Sequence, residues 1–430
     1  MEKATIKYDQ NEYELPIVRS SIGEPALDIS NMRSETGLIT LDPGFHNTGS
    51  AQSEICYRDP QSNTLRYRGY DVQDLAHHTT FTETAYLLIY GELPDLEQKE
   101  NFRRMLTEHS LIHQDMLHFF VGLPPGANPM GILSSMINAM ALYYPNFYVD
   151  NSDPEAFDLM VARLISKVRT IAAFSYKKSL GEPFVYPVAT RSYCDNFLHM
   201  MFHSPTESYE ADPVLIKALN VALILHAEHE QNCSTSTVRL VGSSHANLYA
   251  SVCAGVCALW GPLHGGTSYN AIKTLRKIQQ GDLSITEAIE KTKNPRDPFR
   301  LVGFGHPIYS GEDPRVTILK KYLAEVYEHQ GMDSSLYQIA QELEFQSSKE
   351  DYFAENNLYP NLSFYAGLLY EAIGIPDNMF TVMFAIGRLP SWIAHWKEMH
   401  SDPSFKLGRP RQVYTGIIQK DFIPIEHRNG

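Results

Sequence analysis

Two histidines that follow or precede glycine are the first residues here whose types suggest chemistry. His264 stands in GPLHGG (261–266), and His306 follows Gly305 in LVGFGHPIYSGEDPR (301–315). Glycine carries no side chain, so a ligand can approach a neighbouring imidazole closely, and a neutral imidazole both donates and accepts a hydrogen bond. The alternative for His264 is a helix end and a turn that merely tolerate the ring. A second glycine-adjacent histidine makes that alternative harder to sustain.

The segment LILHAEHEQNCSTSTVR (223–239) contributes two more histidines. His226 and His229 are three residues apart on an expected helix, beside Glu228 and Glu230. A metal site would need a third ligand, and HAEH does not have the spacing of the usual zinc hydrolases, so we predict no metal. We expect the helix to break at the run of hydroxyl residues. His229 is then a candidate for the wall of a site, and a buried structural histidine is the alternative.

Four arginines complete the candidate set. Arg315 comes nine residues after His306 at an expected helix start, and Arg388 lies in the apolar stretch FAIGRLPSWIAHW. Arg409 and Arg411 lie in GRPRQVYTG, which by itself is typical of a solvated loop. A buried unpaired charge is costly, and paired hydrogen bonds to a carboxylate are the natural use of a buried guanidinium.

The elements that must position these residues are mostly helices. Residues 4–60 alternate and turn often, which predicts a small β-rich segment, and apolar residues then recur at helical spacing. Caps before proline, at Asp212–Pro213 and Asp313–Pro314, favour helix starts. The fold class is therefore mainly α with a small N-terminal β-rich segment. Helices are predicted at 130–144, 155–178, 213–231, 245–260, 268–279, 315–329, 334–346, 361–373 and 377–399.

Composition narrows the class of protein. The chain has 430 residues, is 43% hydrophobic and carries a formal charge of −14, which argues against nucleic acid as the main partner. Its five cysteines form no CxxC pair, which fits a reducing cytoplasm. Cys253 and Cys257 are expected to be small residues of a helix that face the protein core. The longest apolar run, 248–263, is shorter than the ~20 residues of a membrane span, and no apolar signal segment is seen at the start.

With these segments in order, the chain resembles the citrate synthase family, in its bacterial type with an N-terminal β extension. The resemblance runs from about residue 4 to residue 422. The motifs that carry it are LDPGF, RGY, HEQNCSTSTVR, GPLHGG, GFGH, DPR, YPN, WIAHW and RPRQVYTG.

The resemblance implies a two-domain helical subunit with its active site in the cleft between the domains. The expected division is a β-rich segment at 1–60, a large helical domain at 61–269 and 379–430, and a small helical domain at 270–378. It also implies at least a dimer, either a homodimer or a homohexamer.

The implied reaction removes a proton from the methyl group of acetyl-CoA, adds the enol to the keto carbon of oxaloacetate and hydrolyses the thioester. By resemblance, His264 binds the thioester oxygen and His306 polarises the keto oxygen. The keto acid is held by three side chains of one subunit and one of its neighbour, namely His229, Arg315, Arg388 and, across the dimer, Arg409. Acetyl-CoA is then a co-substrate, and no permanently bound cofactor, metal, nucleic acid or membrane is expected.

One residue departs from the family pattern at the catalytic base. The family has an aspartate shortly after YPN, and here the stretch YPNLSFYAG has Ser363. A serine hydroxyl is not a base near neutral pH without an activating neighbour. A positioned general base contributes roughly 10²–10⁴-fold, and no other acid lies within 357–367.

The loop after His306 departs as well. Pro307 and Ser310 stand where many bacterial relatives have arginine and lysine, and Glu312 adds an acid. The family places this loop near the CoA nucleotide, so we expect weaker phosphate binding or altered closure of the loop.

Three functions stay open at this point. The chain is a citrate synthase of low oxaloacetate activity, or one whose base comes from elsewhere. Alternatively, it is a relative that condenses acetyl-CoA or another acyl-CoA with a different 2-oxo acid such as phosphonopyruvate, whose bulkier phosphonate fits beside a serine and would itself act as the base. The third alternative is a non-catalytic paralogue that binds metabolites or acts as an assembly subunit. The retention of both glycine-adjacent histidines favours an enzyme.

Regulation by NADH is predicted to be weak or absent. Arg163 and Lys167 match the basic residues that form the NADH site of hexameric relatives. Glu108 and Thr206 do not match, and a carboxylate facing a dinucleotide is unfavourable.

Overall fold

The computed structural model describes residues 2–59, 62–144, 153–306, 308–309, 311–331 and 334–428. The chain forms two compact units, Met1–Gln52 with Gly408–Gly430 and Ser53–Leu407.

In its described residues, the first unit contains a three-stranded antiparallel sheet and one short α-helix. Tyr8 pairs with Asn11, and the two residues between them, Asp9 and Gln10, both have positive φ, as a tight hairpin turn requires. Its elements are β1 (Lys3–Tyr8), β2 (Asn11–Val18), β3 (Ala26–Leu27) and α1 (Met32–Thr36).

The second unit begins with another antiparallel sheet, β4 (Cys56–Asp59), β5 (Thr64–Tyr67) and β6 (Tyr70–Asp71). Arg68 and Gly69, the turn of the RGY motif, both have positive φ and bring Tyr67 opposite Tyr70. This sheet extends past residue 60, because β4 finds its partner strand after that boundary.

Seventeen α-helices follow in the part of this unit that the structure describes. They are α2 (Val72–His78), α3 (Phe81–Tyr90), α4 (Leu96–Glu108), α5 (Leu117–Gly122), α6 (Pro129–Tyr143), α7 (Pro154–Leu180), α8 (Tyr193–Phe202), α9 (Pro213–His226), α10 (Cys233–Gly242), α11 (Leu248–Leu259), α12 (Thr267–Gln279), α13 (Ile285–Lys293), α14 (Pro314–Gln330), α15 (Ser335–Ser347), α16 (Asp351–Glu355), α17 (Leu362–Ile373) and α18 (Phe380–Ser401).

Local sequence explains where these helices begin. α9 and α14 each start with proline directly after a capping aspartate, Asp212 and Asp313. Proline suits the first helical position, where its missing N–H group is not needed, and the carboxylate accepts a backbone N–H of the first turn. The predicted mainly helical fold is confirmed.

The core of the second unit is built around α18, which packs against α3, α7, α9, α10 and α11. Almost all of its side chains from Phe380 to Trp396 are buried. Arg388 lies in the middle of this buried stretch, so the helix that organises the core also carries a charge into it.

The structure corrects two predictions. The helix expected over 213–231 ends at His226, and the hydroxyl run expected to be a break is itself helical, because Asn232 caps α10 by accepting the N–H of Thr235. His226 and His229 therefore do not share a helix. Cys257 is exposed rather than in the core.

Among the described residues, no helix has both the length and the apolar character that crossing a bilayer demands.

Candidate active site

The turn that carries His229 connects α9 to α10 and is braced by the second sheet. The Tyr67 hydroxyl of β5 lies 3.2 Å from the carbonyl oxygen of Ile224 and 3.0 Å from that of Glu228. Tyr67 is fully buried, and its hydroxyl links the last turn of α9, where the Ile224 carbonyl also accepts the N–H of Ala227, to the carbonyl of Glu228 in the turn that follows. His229 consequently stands on a supported backbone although it lies outside both helices.

His229, His306 and Tyr309 form a compact triangle of rings. The Tyr309 hydroxyl lies 3.0 Å from Nε2 of His229, and the ring centres of the two histidines are 5.0 Å apart. Burial, with the charge of Arg315, lowers the pKa of His306 to about 4 and the pKa of His229 well below its usual range. Both imidazoles are therefore neutral at pH 7.

Arg315 enters the same region from the start of α14. Its Nε and Nη2 donate to the two oxygens of Asp313 at 2.9 and 2.6 Å, and both residues are buried. Burial alone would raise the pKa of Asp313, but the guanidinium outweighs it and lowers that pKa. The pair stays charged, and Nη1 of Arg315 takes no part in it.

Arg388 reaches the region from α18. Its Nε donates to the carbonyl oxygen of His226 at 2.7 Å, and its guanidinium carbon lies 5.0 Å from the centre of the Phe384 ring. Burial lowers the pKa of Arg388 to about 10, and the fully buried carboxylate of Glu228 opposes this shift. Glu228 in turn lies 3.2 Å from Nε2 of His395.

The Nη1 amino group of Arg388 is buried and makes no hydrogen bond to the described residues. A buried donor of this kind is costly unless something accepts its hydrogen bond. An anionic ligand oxygen would supply that acceptor.

His264 is held at the start of α10. The N–H of Ser234 donates to Nε2 of His264 at 3.3 Å, and the Ser234 hydroxyl lies 2.9 Å from the same nitrogen. The indole N–H of Trp392 donates to that hydroxyl at 3.2 Å. A backbone N–H can only donate, so Nε2 accepts and the ring proton lies on Nδ1. Burial and Arg388 lower the pKa of His264 to about 4, which keeps the ring neutral.

The glycine after His264 has a packing reason. A Cβ atom at Gly265 would lie 2.2 Å from the Leu259 carbonyl oxygen and 2.7 Å from Cγ2 of Thr381. The residue therefore lets the chain cross its own backbone and the start of α18. The sequence interpretation, that glycine makes room for a ligand, is not what this contact shows.

The segment before His306 is joined to the start of α17. The N–H of Asn361 donates to the Gly303 carbonyl oxygen at 2.8 Å, and its side-chain amide donates to that of Gly305 at 2.9 Å. Asn361 also caps α17, accepting the N–H of Ser363 at 3.0 Å. His306 and Ser363 are thus attached to one hydrogen-bonded unit.

The structure gathers five of the predicted residues and attaches a sixth. His229, His306 and Arg315 converge through Tyr309 and Asp313, and His264 and Arg388 share contact with Phe384. Ser363 is half-buried at the start of α17.

The remaining predicted residues are placed elsewhere or not at all. Arg409 is an exposed residue of the first unit, and its part in the site remains a prediction. Pro307 and Ser310 lie outside the described residues.

Several residues of the region were missed by sequence reasoning. Tyr309 and Ser234 contact His229 and His264, and the charge of Glu228 acts on Arg388. In the sequence, only the closeness of Tyr309 to His306 and of Glu228 and Ser234 to His229 marks them. Asp313 was predicted as a helix cap but not as the partner of Arg315. Within the described parts of the chain, no group of three or more His, Cys, Asp or Glu side chains could hold a metal ion.

The two basic residues considered for NADH contact the aromatic ring of Tyr144. Arg163 and Lys167 lie 4.5 and 5.0 Å from its centre, and burial, with Arg163, lowers the pKa of Lys167 to about 8. Glu108 is exposed. Weak NADH binding stays a prediction.

Comparison with known proteins gives consistent results. The family model described as the citrate synthase C-terminal domain matches residues 44–411. A curated relative, citrate synthase 1 of Mycobacterium tuberculosis, is 47% identical over 425 residues, which cover 99% of this chain and 98% of the relative.

Solved structures agree with the sequence relatives. The citrate synthase of Pyrobaculum aerophilum superposes with a TM-score of 0.80 at 29% identity, covering 96% of this chain and 98% of that one. The ternary complex of carboxymethyl coenzyme A and oxaloacetate with the citrate synthase of Thermoplasma acidophilum gives 0.82 at 28% identity, covering 90% and 100%. The citrate synthase of Thermotoga maritima gives 0.77 at 33% identity, covering 91% and 100%.

Proposed function

This chain belongs to the citrate synthase family, and on that premise we propose that it condenses acetyl-CoA with oxaloacetate and then hydrolyses the thioester. The observation that carries the proposal is that the guanidinium groups of Arg315 and Arg388 are buried in the same region as neutral imidazoles. Such a pocket suits a small dianion that carries a keto group, and the Thermoplasma relative was solved with oxaloacetate and a coenzyme A analogue.

Binding of the keto acid falls to His229, Arg315 and Arg388. Nη1 of Arg388 is a buried donor with a full positive charge beside it, so a carboxylate oxygen gains a charge-assisted hydrogen bond there. The buried carboxylates of Asp313 and Glu228 offset the two guanidinium charges while the pocket holds no anion. The balance lowers the cost of burying the arginines.

Chemistry at the thioester falls to His264. Its Nδ1–H donates to the thioester oxygen, on which negative charge develops as the methyl group loses a proton. A ring with a pKa of about 4 donates as a neutral imidazole, and Ser234 and Trp392 fix its orientation. His306, likewise neutral, donates to the keto oxygen while the new carbon–carbon bond forms.

Ser363 limits the first step. With a hydroxyl at the position of the base, the methyl proton has no carboxylate to receive it, and we expect oxaloacetate turnover below that of relatives with an acid there. The helix start that carries Ser363 is tied to the segment before His306, so an acid placed at 363 would face the same pocket.

We further propose a cytoplasmic homodimer or homohexamer in which Arg409 completes the neighbouring subunit's site, with residues 270–378 as the smaller domain. Acetyl-CoA acts as a co-substrate. No metal or resident cofactor takes part.

The test is a thiol-release assay with purified protein, acetyl-CoA and a panel of 2-oxo acids that includes oxaloacetate, pyruvate and phosphonopyruvate. Citrate formation from oxaloacetate is the expected result. Faster thiol release with another acceptor would mean that this acid, and not oxaloacetate, is the substrate. No thiol release with any acceptor, although oxaloacetate binds, would favour the non-catalytic paralogue.

A further inference from the structure

Tyr309 is a residue of the pocket that the proposed reaction does not use. It is 2% exposed and belongs to the short segment between His306 and Arg315. Its ring lies 4.8 Å from that of His306 and 5.6 Å from that of His229, centre to centre. A polar hydroxyl has thus been buried among three side chains that are proposed to bind the substrate.

The hydroxyl points at one atom of that set. It lies 3.0 Å from Nε2 of His229, and burial raises the pKa of Tyr309 above its usual value, so the phenol keeps its proton. An uncharged imidazole and a phenol share one hydrogen between these two atoms. The bond joins two neutral groups and is therefore of the weaker kind.

We propose that Tyr309 is a further substrate-binding residue, whose O–H donates to an anionic oxygen of the bound 2-oxo acid. The inference rests on the proposed function, since it concerns the acceptor pocket of that reaction. A carboxylate oxygen is a stronger acceptor than a neutral imidazole. The acid therefore gains a bond from Tyr309 that is worth more than the one it replaces.

The chain offers a matched control. Tyr322 on α14 is also buried, and its hydroxyl lies 2.7 Å from Nδ1 of His77, with ring centres 5.7 Å apart. It is a tyrosine–histidine pair of the same kind, and the proposed mechanism gives it no role. Loss of its hydroxyl reports the general effect of breaking such a pair.

The experiment compares Tyr309→Phe and Tyr322→Phe with the wild type by isothermal titration with oxaloacetate alone. A hydrogen bond to a charged group is worth enough to expect about 10- to 100-fold weaker binding for Tyr309→Phe, and a change of at most about twofold for Tyr322→Phe. Oxaloacetate KM is expected to rise in parallel, with acetyl-CoA KM unchanged. Unchanged or tighter binding by Tyr309→Phe would overturn the proposal.

Two further readouts keep the outcome clear. If Tyr309→Phe does not fold, a structure of the wild type with oxaloacetate decides: the phenol oxygen within about 3.2 Å of an acid oxygen supports the proposal, and a phenol bonded only to His229 refutes it. Because titration needs no turnover, wild type that binds oxaloacetate without forming citrate would reject the proposed function while still testing Tyr309.

Discussion

At the scale of single residues, the pocket works by keeping its imidazoles neutral and its guanidinium groups charged. Burial disfavours the charged form of every ionisable group, and it lowers the pKa of His264 and His306 to about 4. Burial also disfavours the charged form of Arg315, but Asp313, which accepts two hydrogen bonds from it, keeps Arg315 charged. The same buried pocket therefore provides two kinds of group. Its neutral imidazoles donate to oxygens that gain negative charge during the reaction, and its charged guanidinium groups bind the carboxylates of the keto acid.

The low pKa of His264 gives a prediction for stability against pH. Between pH ~4 and the usual histidine pKa of ~6.5, the unfolded chain takes up a proton that the folded chain does not, so folding is destabilised as pH falls through this window. In His264→Asn we expect the free energy of unfolding to depend less steeply on pH there, by up to ~1.4 kcal/mol per pH unit.

The measurement is urea unfolding at a series of pH values from 7 to 4. His118→Asn, at an exposed position, serves as the control for the histidine-to-asparagine substitution itself. Identical slopes for His264→Asn and the wild type would contradict the low pKa of His264.

Restoring the acid at 363 is the second prediction at this scale. Ser363→Asp should raise citrate turnover by about 10²–10⁴-fold, the range of a positioned general base, whereas Ser363→Ala should stay near the wild type. Aspartate in the first turn of α17 also suits the partial positive charge of a helix start, so the variant should fold. Equal turnover of Ser363→Asp and the wild type in the thiol-release assay would show that the missing acid does not limit the reaction.

At the scale of elements, three helix starts hold the reactive groups. α10 presents Ser234 to His264, α14 carries Arg315, and α17 carries Ser363. Short side-chain caps accept backbone N–H groups of the first turn and thereby fix where each of these helices begins. The Tyr67 hydroxyl supports the turn between α9 and α10 through its contacts with two backbone carbonyl oxygens.

Gly303 tests the contact between the segment before His306 and α17. Its φ is +91°, and an added Cβ would lie 2.9 Å from Cδ2 of Phe364, beside Ser363. Gly303→Ala should displace His306 and lower kcat by about tenfold or more. It should also destabilise the fold by about 1–3 kcal/mol.

Gly281→Ala is the matched control, because Gly281 has a φ of +82° with no atom within 4 Å of an added Cβ. It should share the backbone strain, about 1–2 kcal/mol, and keep full activity. Thermal unfolding and steady-state kinetics separate the two effects. Loss of activity in both variants would point to strain rather than displacement.

At the scale of the whole molecule, the C-terminal residues of the first unit bear on the proposed dimer. Large apolar side chains there are exposed, Ile418 by 95% and Phe422 by 82%, and such surface usually becomes covered by a partner. Arg409 precedes them in the same unit. A dimer that exchanges these segments would supply Arg409 to the neighbouring site.

Subunit mixing tests this arrangement. Arg409→Ala and His264→Ala should each be inactive alone. After the two are unfolded and refolded together, about a quarter of the wild-type activity should return, since half of the dimers are mixed and each of those has one intact site. Light scattering gives the oligomeric state, and mixtures that form dimers without regaining activity would show that Arg409 acts within its own subunit.

What the sequence determined by itself is largely local. Aspartate before proline predicts the starts of α9 and α14, and periodic apolar residues predict the helices, because caps and helical spacing involve residues a few positions apart. The motifs around His264, His306 and Arg388 also indicated the family. The end of α9 was predicted wrongly, since it depends on Asn232 favouring a new helix and on Tyr67 from a distant strand.

Only the tertiary structure decided which side chains of the pocket pair with one another and which of them are charged. The hydrogen bonds of the pocket join residues that are far apart in the sequence. Tyr309 and His229 are separated by 80 residues, His264 and Ser234 by 30, and Trp392 and Ser234 by 158. Spacing in the chain carries no record of such pairs, because they form only when separate helices pack. The protonation states follow from the same packing, because burial, which no local pattern measures, makes the imidazoles neutral. Packing also leaves Nη1 of Arg388 without an acceptor among the described residues, so this amino group is available to an anion.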